Sequence, residues 1–166
     1  MNLKRKLTLS MFTAIALTVF LIEANLPGLV PIPGVKLGLS NCITLIVLAM
    51  LGKREAGIVL LLRIVLGSIF AGQAVSFLYS LAGGALCYAV MCVMLKALGV
   101  KQLWAVSIFG ALAHNAGQLL IAVLLTNAGV LWYAPVLLVS AIVTGAFTGV
   151  AAQAVVKALP KEKQGK

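Results

Sequence analysis

The sequence predicts an all-α, polytopic integral membrane protein with six transmembrane helices. Hydrophobic residues make up 63% of the 166 residues and charged residues only 10%, whereas charged residues account for about a quarter of a typical soluble domain. Apolar runs of about eighteen residues recur, and each is long enough to cross a bilayer core of about 30 Å. Because so few charges could not cover a water-facing surface, a single transmembrane domain over residues 1–166 is predicted.

Polar residues and glycines mark where the spans end. The first apolar run stops at the proline-rich segment PGLVPIPGVKLGLSN, residues 27–41, and GKRE at 52–55 ends the second. Residues 56–95 would form a helix about 60 Å long, twice the bilayer core, so we expect a turn at 79–84, where Gly-Gly weakens the helix. Further breaks are expected near 99 and 127. The predicted spans are about 7–24, 37–51, 56–78, 81–96, 103–126 and 133–156, followed by a basic tail at 157–166.

The positive charges predict the orientation. They occur before span one, after spans two and four, and after span six, whereas the opposite loops carry Lys36 alone. The positive-inside rule therefore places both termini in the cytoplasm of a bacterial cell membrane. The same cations favour anionic membrane lipids, and nucleic acid is not expected because no base-reading surface accompanies them. The basic N-terminus resembles a signal peptide, but its apolar run is too long and lacks a cleavage site, so we expect a retained helix.

The residue types needed for catalysis are missing. The chain contains no aspartate, and its glutamates, Glu23, Glu55 and Glu162, fall in three separate places. They cannot form a paired-carboxylate site for acid–base work or for Mg²⁺. No phosphate-binding loop is present, the three cysteines lack metal-ligand spacing, and no serine or cysteine stands beside a histidine. We therefore expect neither an enzyme nor a resident metal or cofactor.

Polar side chains at membrane depth are the main candidates for function. Arg63 lies about two turns into the third span, where it either reaches back to the headgroups or faces the protein interior. In the fifth span, AHNAGQ places His114 and Gln118 one turn apart on one face, flanked by Asn115. These three groups either hydrogen-bond neighbouring helices or line a cavity. Three polar groups within five residues favour the cavity.

A second group of polar residues is expected at the outer side. Glu23 and Asn25 precede the proline-rich segment, and Lys36 and Asn41 follow it. Because proline removes backbone donors and biases the preceding residue towards extended backbone, we expect this segment to form a rigid apolar lid. The predicted substrate-binding residues are Glu23, Asn25, Lys36, Asn41, Arg63, Gln73, His114, Asn115 and Gln118.

Four segments carry a family resemblance. LPGLVPIPGVKLGLSNCITL, RIVLGSIFAG, AHNAGQ and VTGAFTGV resemble the Gx transporter family, also labelled heptaprenyl diphosphate synthase component I, over nearly the whole chain. That family in turn resembles the substrate-binding S components of energy-coupling-factor (ECF) transporters. S components are six-helix membrane proteins that capture micronutrients from outside. The resemblance implies an ECF transmembrane coupling subunit and two cytosolic ATPases as partners.

Two functions are compatible with these features. The first is an S component that binds a small vitamin-like, flavin-like or quinone- or isoprenoid-related ligand, whose anionic part the cations would favour. The alternative is a non-catalytic membrane partner or scaffold in polyprenyl diphosphate or menaquinone synthesis, or in membrane electron transfer. Catalytic polyprenyl synthases carry aspartate-rich motifs such as D-D-x-x-D that hold Mg²⁺ against diphosphate. A chain without aspartate cannot be such a catalyst.

Overall fold

A computed structural model describes residues 3–25, 38–71 and 74–159. This part of the chain is helical throughout, without a β-strand, which confirms the predicted all-α class. The 3₁₀ helices Val100–Gln102 and Ala128–Tyr133 lie on either side of α5. The predicted lid and the end of the basic tail lie outside the described residues. The α-helices are α1 (Leu3–Asn25), α2 (Asn41–Met50), α3 (Lys53–Ala71), α4 (Ala74–Leu98), α5 (Leu103–Leu125) and α6 (Ala134–Ala158).

Four helical stretches in the described ranges are long and apolar enough to cross a membrane, so the protein is membrane-embedded. The prediction of six spans is therefore not supported by length and composition. Helix α2 has ten residues and is about 15 Å long, half a bilayer core. Helix α3 carries Lys53, Arg54, Glu55 and Arg63 among its 19 residues. The four candidate stretches are Leu3–Asn25, Ala74–Leu98, Val100–Leu125 and Ala128–Ala158.

The segment 38–55, which contains α2, nevertheless contacts α1 near both of its ends. At one end, the Glu23 carboxylate accepts a hydrogen bond from the backbone N–H of Gly38. At the other, Arg5 donates to the Leu51 carbonyl at 3.3 Å and pairs with Glu55 at 2.7 Å. Arg5 and Glu23 are eighteen residues apart in α1, or about 27 Å along the helix axis. The long Arg5 side chain helps residues 38–51 to match that distance.

The turn expected at 79–84 does not occur there, because α3 ends at Ala71 and α4 is continuous from Ala74 to Leu98. Gly83 and Gly84 instead allow neighbouring groups to approach α4. A Cβ atom on Gly83 would lie 2.8 Å from the His114 ring, and one on Gly84 would lie 3.0 Å from Ile64. These glycines therefore permit close helix packing, a use of small residues common in membrane proteins.

Helix α5 lies between α4 and α6, while α1 packs mainly on α3. The outward face of α6 is apolar and exposed, as Val139 and Phe147 show with 64% and 72% of their surface accessible. In a membrane, this face contacts lipid. Several of the buried polar residues, in contrast, lie close together where the start of α2 meets α3, α4 and α5.

Candidate functional site

Arg63 lies at the centre of the buried polar residues. Its side chain is only 2% exposed, so it faces the protein interior rather than the headgroups. The guanidinium donates hydrogen bonds to Ser40 Oγ and, at 3.2 Å, to Asn41 Oδ1. It also lies 5.7 Å from the centre of the Phe20 ring, within the range of a cation–π interaction. The start of α2 and the last two turns of α1 thus hold the charge of α3 in place.

Glu23 supplies the negative charge beside Arg63. Its side chain is 5% exposed near the end of α1, and its carboxylate is close enough to Arg63 to stabilise the guanidinium electrostatically. The same carboxylate accepts the hydrogen bond from Gly38 N–H. Pairing is expected for charges at membrane depth, because an isolated ion there is costly. We call Glu23, Ser40, Asn41, Arg63 and His114 the polar cluster.

His114 joins α5 to the polar cluster. The residue is 3% exposed, and its imidazole lies between Gly38 and Gly83. A Cβ atom at either glycine would approach the ring to 2.8 Å. Gly38 also has φ +77°, a backbone conformation that favours glycine. Gln118, one turn further along α5 as the spacing predicts, is 1% exposed.

Asn115 points away from the polar cluster towards α6. Its side-chain amide donates to the Leu137 carbonyl at 2.7 Å, with Ser140 Oγ at 3.5 Å. Asn115 therefore hydrogen-bonds a neighbouring helix, which is the first of the two roles expected for this group, rather than facing the polar cluster. The predicted polar group of α5 therefore divides between two faces.

Asn115→Ala should lower the free energy of unfolding by about 1 kcal/mol, because it removes one buried hydrogen bond between α5 and α6. Thermal unfolding in detergent, followed by circular dichroism, measures the change. Asn25→Ala is the matched control, since Asn25 is exposed and bonds only to Leu21 of its own helix. Equal stability of the two variants would argue against the interhelical role of Asn115.

The other predicted site residues do not join the cluster in the described part of the chain. Asn25 is exposed at the end of α1, where its amide donates to the Leu21 carbonyl at 2.7 Å. Lys36 and Gln73 lie outside the described residues. The structure therefore brings together Glu23, Asn41, Arg63 and His114 of the predicted set.

Several buried polar residues were not predicted. Ser40 is fully buried and bonds Arg63, yet a serine in a turn carries no distinctive sequence signal. On α4, Ser76, Tyr79 and Ser80 are all less than 5% exposed. Together with Gly83 they recur at intervals of three and four residues, which is the spacing of one helix face. A turn at 79–84 would interrupt this face, so the spacing is apparent only when α4 is continuous.

A small cavity adjoins the cluster between α2, α4, α5 and α6. Its volume is about 10 Å³, room for about one water molecule. Ser107 and Thr148, two of its lining residues, hydrogen-bond each other at 3.0 Å. The lining of this cavity offers hydroxyl and amide groups for hydrogen bonding beside apolar side chains. The cavity is lined by Gly38, Asn41, Cys87, Met91, Ser107, Ala111, Thr144 and Thr148.

Comparison with known proteins gives one match. A family model described as heptaprenyl diphosphate synthase component I matches residues 12–155, a range that contains the whole polar cluster. No curated protein and no solved structure shows a significant match.

Proposed function

The chain belongs to the heptaprenyl diphosphate synthase component I family, and we propose that it is a non-catalytic membrane subunit that works beside a separate prenyl synthase in polyprenyl diphosphate or menaquinone synthesis. Family membership carries this proposal. The separate enzyme would supply the carboxylates that hold Mg²⁺ and diphosphate. Here Glu23 and Glu55 lie near opposite ends of α1, and each already contacts another group.

The end of the bundle near Arg5 is the proposed docking side for that enzyme. Exposed cations gather at helix ends on this side, and Glu55 there is mostly buried against Arg5. A strongly positive face orients towards the cytoplasm and attracts diphosphate-bearing substrates and anionic lipids. Within residues 3–25, 38–71 and 74–159, the exposed cations are Lys4, Arg5, Lys6, Lys53, Arg54, Lys96, Lys101 and Lys157.

The same orientation gives a topology prediction. Reporter domains fused after Gly52, after Gly99 and at the C-terminus should all be cytoplasmic, because α2 returns the chain to the end where α1 begins. Alkaline phosphatase is active only in the periplasm and green fluorescent protein fluoresces in the cytoplasm. Each fusion site should therefore give a signal with one reporter and none with the other. A periplasmic reading after Gly52 would show that α2 does not return the chain to the side where α1 begins. A periplasmic C-terminus would contradict the proposed orientation as a whole.

Co-purification tests the proposed function. The tagged chain, extracted in mild detergent, should retain a prenyl synthase co-expressed from the same cell, and the synthase should be more active with membranes that contain the chain. Lys53→Glu/Arg54→Glu should weaken this association if the basic end is the docking side. A synthase that neither binds the chain nor changes activity would exclude the proposal.

A second candidate function is an ECF S component. The observation that favours it is the depth of the polar cluster, which lies at the end of α1 away from the basic residues, where a synthase partner has no need of it. In this role the chain would capture a vitamin-like or flavin-like molecule from outside. It would then dock on a coupling subunit with two ATPases. Recovery of these proteins in the same co-purification, in place of a synthase, would favour this candidate.

A further inference from the structure

The connection between α5 and α6 is exposed and aromatic. It forms the 3₁₀ helix Ala128–Tyr133, none of whose six residues is buried. Trp132 has 88% of its surface accessible and Leu131 has 50%, so these large apolar side chains face outward. Asn127 fixes the start of the turn, because its side chain accepts a hydrogen bond from Gly129 N–H at 2.8 Å. The Trp132 ring is therefore presented outward by a hydrogen-bonded turn.

The sequence around this connection is not that of a water-facing loop. No aspartate, glutamate, lysine or arginine occurs from residue 102 to residue 156, a run that contains all of α5, the connection and nearly all of α6. At the other end of the same two helices, Lys101 and Lys157 are exposed. An uncharged connection with a tryptophan and a tyrosine has the composition of the membrane–water interface. There, aromatic rings place their apolar body against acyl chains and their polar atom among headgroups.

Trp104 occupies the corresponding position at the opposite end of α5. The chain has two tryptophans, and Trp104 lies in the first turn of α5 with 47% of its surface exposed. A Cβ atom on Gly149 would approach Trp104 Cα to 2.6 Å, so α6 packs closely against this turn. Trp104 and Leu125, where α5 ends, are twenty-one residues apart, or about 32 Å along the helix axis. The two tryptophans thus bracket about one bilayer core.

We infer that Trp104 and Trp132 lie at the two membrane–water interfaces and fix the depth of the α5–α6 pair in the bilayer. The Ala128–Tyr133 helix then lies among the lipid headgroups of the leaflet opposite the basic end. His114 is ten residues, or about 15 Å, from Trp104 along α5, so the same placement puts it near the middle of the core. A synthase docked at the basic end does not require the Trp132 surface, so the depth of Trp132 is independent of the proposed function.

Depth-dependent quenching of tryptophan fluorescence tests the placement. The protein is reconstituted in phosphatidylcholine vesicles brominated either close to the headgroup or near the ends of the acyl chains. The wild-type protein, which carries both tryptophans, should be quenched at least about twofold more strongly by the shallow bromines. Trp104→Phe isolates the emission of Trp132, and Trp132→Phe isolates that of Trp104. Each should show the same preference for shallow bromines.

Three other results for Trp132 would overturn the inference. Quenching by aqueous iodide and by neither bromolipid would place the ring in water. Quenching by neither iodide nor bromolipid would show that protein, such as a second copy of this chain, covers it. Stronger quenching by the deep bromines would place it inside the hydrocarbon core.

Phe147→Trp in the Trp104→Phe/Trp132→Phe background is the matched control. Phe147 lies midway along α6 and is 72% exposed on its outward face, so a tryptophan there should be quenched more by the deep bromines. This variant calibrates the depth scale in the same fold. If its depth profile equals that of Trp132, then Trp132 is not at the interface. Loss of synthase co-purification would leave these profiles unchanged and would refute only the proposed function.

Discussion

Replacement of Arg63 by methionine is expected to lower the free energy of unfolding by about 3–5 kcal/mol, because the nearby buried carboxylate and two buried hydrogen-bond acceptors lose the positive charge that stabilises them. The Glu23 carboxylate would remain buried without the guanidinium that stabilises it. Ser40 and Asn41 would also lose the donor that links α2 to α3. Methionine retains much of the apolar stem of arginine, so cavity formation contributes little. Unfolding by SDS in mixed micelles measures the change.

The loss should be recovered in part when the carboxylate is neutralised as well. Glu23→Gln/Arg63→Met removes both charges, so the double variant should be more stable than the sum of the two single effects predicts, by at least about 1 kcal/mol. Arg54→Met is the control for loss of a positive charge at an exposed position, with an expected effect within about 0.5 kcal/mol. If the Arg63→Met variant is as stable as the Arg54→Met variant, Arg63 makes no stabilising interactions inside the bundle.

The membrane class and the inward role of Arg63 were predictable to different degrees. Composition alone excludes a soluble domain, because 10% charged residues cannot cover a folded surface. The charge of a single arginine in an apolar run, however, is stabilised either by the lipid headgroups or by polar groups inside the protein. Its hydrogen-bond acceptors, Asn41 and Ser40, are 22 and 23 residues away in the sequence. Glu23, the nearby acid, is 40 residues away. No local pattern contains that pairing, since it arises when α1, α2 and α3 pack.

Helical periodicity indicates a shared face for two of the three polar residues of α5. His114 and Gln118 are four residues apart and are both buried, whereas Asn115 is rotated by about 100° from His114 and bonds α6. The sequence therefore defines the faces of α5, but not which helix covers each face. The Gly83-Gly84 pair was misassigned for a related reason. Glycine weakens an isolated helix, yet it also permits the close contact with His114 that α4 makes here.

Gly117→Ala should lower the free energy of unfolding by about 1–3 kcal/mol, because the added methyl group overpacks the contact between α4 and α5. A Cβ atom at this position would lie 2.7 Å from the Ala82 carbonyl oxygen and 2.9 Å from Gly83 Cα. Both are backbone atoms, so no side-chain rotation relieves the clash and the helices must separate. Gly83 contacts the His114 ring, so separation at this level should also loosen the polar cluster.

Gly57→Ala is the matched control for that experiment. Gly57 also lies inside a helix, but its Cβ atom would meet Tyr88 Oη at 3.5 Å, an ordinary contact. Alanine favours the helix over glycine by up to about 1 kcal/mol, so this variant should be as stable as the parent or more so. The two substitutions add the same methyl group to the same secondary structure, and a difference in their melting temperatures isolates the α4–α5 contact. If Gly117→Ala melts no lower than Gly57→Ala, the close approach of α4 to α5, and with it the position of His114 against Gly83, is wrong.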